Sequence, residues 1–266
     1  MVSDILKHAA TALGAFLNSA VPRHLEVVRV AQALYALAAA GCSTDVPIIK
    51  RVTDYVVRQE QPDGGWSDPE ETAWASGAIR LIRGRENPVI QSAVQWLDSV
   101  RRPMGGWGRH PRDQARIPIT ALISALVPEV IKAEDIEWLI EEWRRDFEGP
   151  VRLSYKAGFF LLVVGDREES HLVAQTVSHL AQDQNEDGGF AAWKGHPIGS
   201  DPWSTGIVLW GLSKWIDHVD ARVFEKTISW LGDTQLPSGY WSYHYLDEGT
   251  SLALIGAVAA LKALVR

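Results

Sequence analysis

The chain has 266 residues, of which 46% are hydrophobic and 22% are charged, and its formal net charge is -7. That composition is ordinary for a globular protein. It has no basic stripe to attract nucleic acid and no apolar run long enough for a membrane span, so we expect neither a nucleic-acid partner nor stable membrane insertion. The only cysteine, Cys42, permits no internal disulfide and no Cys-rich zinc site. We expect a cytoplasmic protein without metal or cofactor.

A first helix is predicted after Ser3, because apolar residues recur at helical spacing up to Leu17. Beyond it, segments with a shared pattern follow. Each is the end of a helix, then a polar stretch, then Gly-Gly-aromatic or Gly-Tyr-Trp. The segments are residues 55–66, 96–107, 180–190 and 230–241.

The spacing of these segments indicates an internal repeat. Gly65 and Gly106 are 41 residues apart, and Gly189 follows after 83 residues, or two periods. The missing copy falls at Trp138, followed by a degenerate Phe-Glu-Gly-Pro at residues 147–150. Adding an N-terminal copy gives six units, whose first helices are anchored by Phe16, Tyr55, Trp96, Trp138, Leu180 and Trp230.

Each unit continues with a second helix, and several of these are apolar nearly all round, for example residues 206–212 and 251–261. A helix apolar on every face is buried on every face, so the second helices predict an inner barrel and the more charged first helices an outer one. We predict an all-α fold, an (α/α)6 toroid or double α-barrel of six helical hairpins, as one domain over residues 1–266. The inner helices are predicted at residues 25–40, 70–83, 117–126, 154–164, 203–215 and 248–264.

The repeated loops resemble the QW repeats of squalene and oxidosqualene cyclases, which also occur in protein prenyltransferase β-subunits. The resemblance covers nearly the whole chain. It implies a small, single-domain member of the terpenoid cyclase and protein prenyltransferase α/α-toroid superfamily, in which a Gln amide caps a neighbouring helix end and stacks on the Trp ring. The matching residues are Gln59 or Gln61 with Gly65 and Trp66, Gln182 or Gln184 with Gly189 and Phe190, and Gln235 with Gly239 and Trp241.

Class II terpene cyclases carry D-x-D-D-T-A at the start of an inner helix, and the middle Asp protonates the substrate. Residues 68–73, Asp-Pro-Glu-Glu-Thr-Ala, resemble this motif. The resemblance implies Glu70 as the acid, with Asp68 and Glu71 as partners that tune its pKa. The alternative is a helix start, in which Ser67 or Asp68 is the N-cap, Pro69 is the first helical residue and the acids occupy the first turn.

Residues 201–206, Asp-Pro-Trp-Ser-Thr-Gly, resemble the same motif, but Trp203 stands at the acid's position and Ser204 at the next. Asp201 is then either a lone acid or another N-cap.

Aromatic residues near the ends of the inner helices predict the lining of a central cavity, where their faces would stabilise carbocations. Core packing is the alternative for each of them. Polar loops containing His196 and His244 are candidates for the rim, where they would hold an anionic head group. The aromatic candidates are Trp74, Tyr155, Phe159, Trp203, Trp210, Tyr243 and Tyr245.

The resemblance implies a class II terpene-cyclase-like enzyme that cyclises a small hydrophobic substrate, an isoprenoid or other polyene, by protonation in an aromatic-lined cavity. No DDxxD segment suggests metal-assisted ionisation of a diphosphate. Two alternatives stay open. One is a degenerate toroid that binds a hydrophobic ligand or a protein partner. The other is an (α/α)6 carbohydrate-active enzyme, with Glu70 facing Asp247 or Glu248 across a cleft.

Overall fold

The computed structural model describes residues 2–20, 23, 25–165 and 170–265. Within these residues the regular structure is helical, and twelve α-helices follow one another in the order of the six predicted hairpins. In chain order they are α1 (Val2–Ala20), α2 (Val27–Ala39), α3 (Pro47–Arg58), α4 (Pro69–Arg83), α5 (Pro88–Ser99), α6 (Ile117–Leu126), α7 (Ala133–Glu148), α8 (Ser154–Val163), α9 (Ser170–Asp183), α10 (Pro202–Leu212), α11 (Ala221–Thr234) and α12 (Leu246–Leu264).

The predicted inner helices are α2, α4, α6, α8, α10 and α12, and their ends lie close to the predicted ones. The largest difference is at α10, which ends at Leu212 instead of Trp215 and continues as a 3-10 turn over Ser213–His218. Trp215 leaves helical geometry there, with φ -122° and ψ 32°. Its indole Nε1 donates to the carbonyl of Leu161, 3.0 Å away, so a buried hydrogen bond accompanies the kink.

Two compact units divide the chain. One is Gly14–Leu139, in which α4 packs against α2 and α6. The other combines Met1–Leu13 with Ile140–Arg266, and in it α10 packs against α8 and α12. No helix in the described part of the chain is both long and apolar enough to cross a membrane.

Glycines let the backbones of α8, α10 and α12 touch. A Cβ added at Gly206 would overlap the carbonyl of Leu252 on α12, and one at Gly256 would overlap the carbonyl of Gly206. At the other end of α10, a Cβ on Gly211 would overlap the carbonyl of Gly158 on α8. These helices therefore pack at closer range than side chains would allow.

The repeated loops lie on the odd-numbered helix that follows them. Gly188 has φ +94°, and a Cβ there would lie 2.5 Å from the carbonyl oxygen of Lys226 on α11. The last loop uses α1 in the same way, since Gly239 lies against the carbonyl of His8. Next to it, the Tyr240 hydroxyl donates to the carbonyl of Ala12 at 2.8 Å. The last hairpin thus contacts the first helix.

Each loop is also tied to the even-numbered helix of its own hairpin. The backbone N–H of the loop aromatic donates to a buried threonine Oγ1 near the start of that helix, which satisfies a buried donor. The four bonds measure 2.9–3.1 Å and join Trp66 to Thr72, Trp107 to Thr120, Phe190 to Thr205 and Trp241 to Thr250.

The glutamines of the predicted QW pattern connect the loop to the next helix. The Gln184 amide donates to the carbonyls of Gly188 and Val223, at 3.0 and 2.9 Å. The Gln235 amide donates to the carbonyls of Gly239 and Ile5, both at 3.0 Å. In the loop that ends in Trp66 the equivalent residue is Glu60, rather than Gln59 or Gln61. Glu60 directly precedes Gln61, whose N–H donates to the carbonyl of Gly65, the second loop glycine. Gln184 has the same place before Asn185, whose N–H donates to the carbonyl of Gly189.

Candidate active site

The two Asp-Pro segments start their helices in the same way. Asp68 precedes α4, and its Oδ1 accepts the N–H of Glu71 at 2.8 Å. Asp201 precedes α10, and its Oδ1 accepts the N–H of Ser204 at 2.7 Å. A proline occupies the first helical turn of both. Both aspartates are therefore N-caps, as their alternative interpretation predicts.

Glu71 is held by backbone donors from two elements. Its side chain is buried, with Oε1 accepting the N–H of Val28 at 2.9 Å and Oε2 accepting the N–H of Ser67 at 3.0 Å. Because Val28 lies in the first turn of α2, Glu71 satisfies an orphan donor at the start of a neighbouring helix. This carboxylate joins the beginnings of α2 and α4.

Glu70, the acid implied by the resemblance, is partly exposed. Its Oε2 lies 3.9 Å from Nε of Arg109. The side chain of Arg109 is 66% exposed and that of Glu70 29%, so water screens this ion pair.

Asp201 lies in a drier environment. Burial raises the pKa of its carboxyl group, and hydrogen bonds from Ser204 and Trp203 together with the charge of His196 oppose this in part. Since the rise from burial outweighs the opposing effects, the carboxyl group holds its proton to a higher pH than an exposed Asp.

Tyr243 adjoins the same carboxyl group. Burial raises the pKa of its phenol, and the nearby charges of Asp201 and Glu248 raise it further. Its Cβ lies where a side chain on Gly249 would stand, beside Pro202. Tyr243, Glu248 and Asp201 therefore meet where α10 and α12 begin, a grouping that the sequence spacing does not reveal.

Three of the predicted lining residues form one aromatic cluster at the start of α8 and α10. The ring of Trp203 lies 5.5 Å from that of Tyr155 and 6.1 Å from that of Phe159, with both pairs edge to face. The backbone of Trp203 also hydrogen-bonds the Asp201 carboxyl group, so one residue contacts both the cluster and the carboxyl group with the raised pKa.

The other predicted residues are spread over both units. Trp74 on α4 is buried and packs edge to face on Tyr35, with ring centroids 5.6 Å apart. Tyr35 is not among the predicted lining residues. Burial raises the pKa of its phenol to about 12. Its only sequence signal is its place in the apolar pattern of α2. Trp210 is buried within α10, and Tyr245 is exposed at the start of α12.

The two predicted histidines differ in their surroundings. His196 packs edge to face on Trp193, with centroids 4.1 Å apart, and its Nδ1 accepts the N–H of Ile198 at 3.3 Å. His244 is exposed, 4.9 Å from the ring of Tyr243. Across the described ranges, no group of three or more His, Cys, Asp or Glu side chains is placed to hold a metal ion.

The architecture is that of the terpenoid cyclases. The chain superposes on the type II terpene cyclase MstE from Scytonema, solved with geranylgeranyl dihydroxybenzoate, with a TM-score of 0.74 at 17% identity, covering 98% of each chain. This confirms the predicted resemblance and the (α/α)6 toroid fold class.

Curated relatives carry the same class of name. Drimenyl diphosphate synthase of Streptomyces showdoensis is 23% identical over 90% of this chain and 49% of its own length. Squalene–hopene cyclase of Zymomonas mobilis is 24% identical over 62% of this chain and 22% of its own. The chain thus spans half or less of the curated relatives it matches. No family model matches it.

Proposed function

We propose that this chain is a class II terpene-cyclase-like enzyme that cyclises an isoprenoid or other polyene, with Asp201 as the general acid. The observation that carries the proposal is a carboxyl group whose pKa is raised by burial and which accepts a backbone hydrogen bond from Trp203, the residue whose ring packs on Tyr155 and Phe159. The likeness to MstE and to drimenyl diphosphate synthase supports the reaction class. We also propose a cytoplasmic location.

The reaction begins with proton transfer. The Asp201 carboxyl gives its proton to one carbon of a terminal alkene, whose π electrons form the new C–H bond and leave a carbocation on the other carbon. The next alkene of the chain attacks that cation and closes a ring. Loss of a proton, or capture of water, ends the sequence, and Asp201 regains its proton from solvent. A neutral carboxylic acid is required at the first step, and a raised pKa supplies it.

The aromatic cluster supports the charged intermediates. Each aromatic face attracts a carbocation by cation–π interaction, worth about 2 kcal/mol when water is excluded. Because Trp203 both hydrogen-bonds Asp201 and packs on Tyr155 and Phe159, we assign these rings to the stabilisation of the first cations.

Asp201→Asn and Glu70→Gln test the proposal on polyprenyl substrates with different head groups, with products followed by mass spectrometry. We expect Asp201→Asn to lower turnover at least about 100-fold, because general acid catalysis contributes that much, while Asn still caps α10. Glu70→Gln should stay within about fivefold of wild type, since we assign it no proton transfer. A large loss of turnover in Glu70→Gln, with turnover near wild type in Asp201→Asn, would assign the general acid to Glu70. Unchanged turnover in both variants contradicts an acid in either segment.

Binding of a hydrophobic ligand without turnover is the second candidate function. It is favoured by Trp203, which occupies the position of the motif's acid, and by Glu71, whose two oxygens accept backbone donors. Saturable binding of a fluorescent polyprenyl analogue, with no product from any polyprenyl substrate, would support this function and contradict the cyclase.

A further inference from the structure

The fourth hairpin lacks the loop that covers the next outer helix in other repeats. The loop at Gly188 lies on α11 and the loop at Gly105 lies on α7, each with its glycine against a helix carbonyl. Between α7 and α8 the corresponding loop contains Gly149 and Pro150 instead. The three atoms nearest to a Cβ on Gly149 belong to Arg145 and Asp146 of its own helix, the closest being the Asp146 carbonyl oxygen at 3.1 Å. Among the described residues, this loop therefore does not lie on α9 as the other loops lie on their helices.

Three adjoining cavities lie against α9, with volumes of about 450, 490 and 540 Å³. Arg152 lines all three of them. Gln175 and Ser178 on α9 are exposed there. Each volume lies within the range of about 300–1,000 Å³ that is usual for small-molecule sites.

Arg152 is held in place by one neighbour. Its Nε donates to the carbonyl of Phe147 at 2.6 Å, and its guanidinium lies over the Phe147 ring, 4.5 Å from the centroid. The Phe147 carbonyl accepts from one of the five N–H groups of the Arg152 guanidinium. A guanidinium fixed by stacking presents its remaining donors as a planar fork, which fits a carboxylate or a phosphate.

Arginine and lysine side chains outnumber the carboxylates around this fork. Arg144 and Glu148 line one cavity together with Arg152, and Lys194, whose Nζ donates to the carbonyls of Asp183 and Gln184, lines the largest. Asp183 also faces the largest cavity, but it is buried and accepts the Ser154 hydroxyl at 2.8 Å. His179 Nε2 lies 3.4 Å from the same carboxylate oxygen.

We propose that this groove binds an organic oxyanion, a carboxylate or a phosphate, whose charged group lies on Arg152. Aromatic side chains at both ends would take its apolar part, since Phe147 lies under the guanidinium and Trp193 lines the cavity at Lys194. Asp201, Trp203, Tyr155 and Phe159 line none of the three cavities. We call it the α9 groove, defined by Phe147, Arg152, Gln175, His179, Trp193 and Lys194.

Titration of the full chain with benzoate and with phenyl phosphate tests the site, because the two probes share a ring and differ in the oxyanion. Calorimetry gives the affinity, and the NMR signals of the His179 ring report binding in the groove. We expect saturable binding of at least one probe, with a shift of the His179 signals. Arg152→Gln should weaken that binding by at least about tenfold, since it removes a charge-assisted hydrogen-bond donor.

Arg222→Gln is the matched control, because Arg222 is an exposed arginine on α11 that pairs with Asp220. It should bind as wild type does, and so should Asp201→Asn. If Arg152→Gln does not fold, Gln175→Glu places a negative charge at an exposed position of the groove and should weaken binding to a similar degree. No saturable binding by wild type, or equal binding by wild type and these groove variants, overturns the site. Loss of binding in Asp201→Asn would move the ligand to the proposed active site and overturn it as well.

Discussion

Residues 68–73 and 201–206 begin their helices with the same aspartate cap and the same proline, yet the two segments differ in what surrounds them. In the first, both oxygens of Glu71 accept backbone donors and Glu70 lies near Arg109. In the second, burial raises the pKa of Asp201, and Trp203, whose backbone hydrogen-bonds that carboxyl group, packs on Tyr155. Residues 68–73 are closer to the cyclase motif in sequence, yet the buried carboxylate of Glu71 in this segment serves to hold two helices together. Environment, more than motif, decides which carboxyl can hold a proton.

The largest difference in stability is expected from substitutions at the last position of the two segments, which is Gly206 in one and Ala73 in the other. Gly206→Ala should lower the free energy of unfolding by more than about 3 kcal/mol, because its Cβ would overlap the backbone of α12. At the equivalent position the opposite change, Ala73→Gly, should lower it by only about 1 kcal/mol through helix propensity. Chemical denaturation measures both. Equal losses would contradict the close backbone contact of α10 and α12.

Glu71→Ala should have the next largest effect. It leaves the N–H groups of Val28 and Ser67 without their acceptor, and we expect a loss of about 2–3 kcal/mol in the free energy of unfolding. Glu71→Gln, which keeps one acceptor oxygen, should lose less. If the two variants are equally stable in thermal and urea unfolding, the carboxylate does not join the starts of α2 and α4.

The threonines should give similar effects in the two segments. Thr72→Val and Thr205→Val each remove the acceptor of a buried backbone N–H, that of Trp66 or of Phe190, so each should lower the free energy of unfolding by about 1–2 kcal/mol. Urea denaturation of the pair tests whether this part of the architecture is shared. A loss in only one variant would show that the repeats differ there as well.

The smallest effect should be the pH dependence of Asp201→Asn. Burial raises the pKa of Asp201 in the folded state above its unfolded value, so the ionised form lowers stability at pH above the folded pKa. This loss disappears as the pH falls below the unfolded pKa, where both states are protonated. The stability of Asp201→Asn relative to wild type should therefore increase from acid to neutral pH. Thermal unfolding across that range measures it, and a constant difference would contradict the raised pKa.

Much of the fold was predictable because helical periodicity and the repeated glycines are local features. The hairpin order and the N-cap roles of Asp68 and Asp201 follow from short stretches of sequence. The degenerate copy near Trp138 was also recognisable in the sequence. Its consequence for the surface of α9 depends on packing and was not predicted.

The site was less predictable because its determinants are distant in sequence. Glu71 meets Val28 from 43 residues away, and no spacing rule reports that contact. Tyr243 approaches Asp201 from another hairpin, and burial, which shifts the pKa of both, depends on packing. Tyr35 was missed because its partner Trp74 comes from the next hairpin.

The contact between the last hairpin and α1 also constrains how the chain folds. The hydroxyl of Tyr240 bonds Ala12 across 228 residues of sequence, and Gln235 bonds Ile5 across 230. During synthesis, the early turns of α1 therefore emerge long before the loop that packs on them exists. Contacts of such long range slow folding, and until that loop arrives the apolar side of the first helix stays open to non-native association.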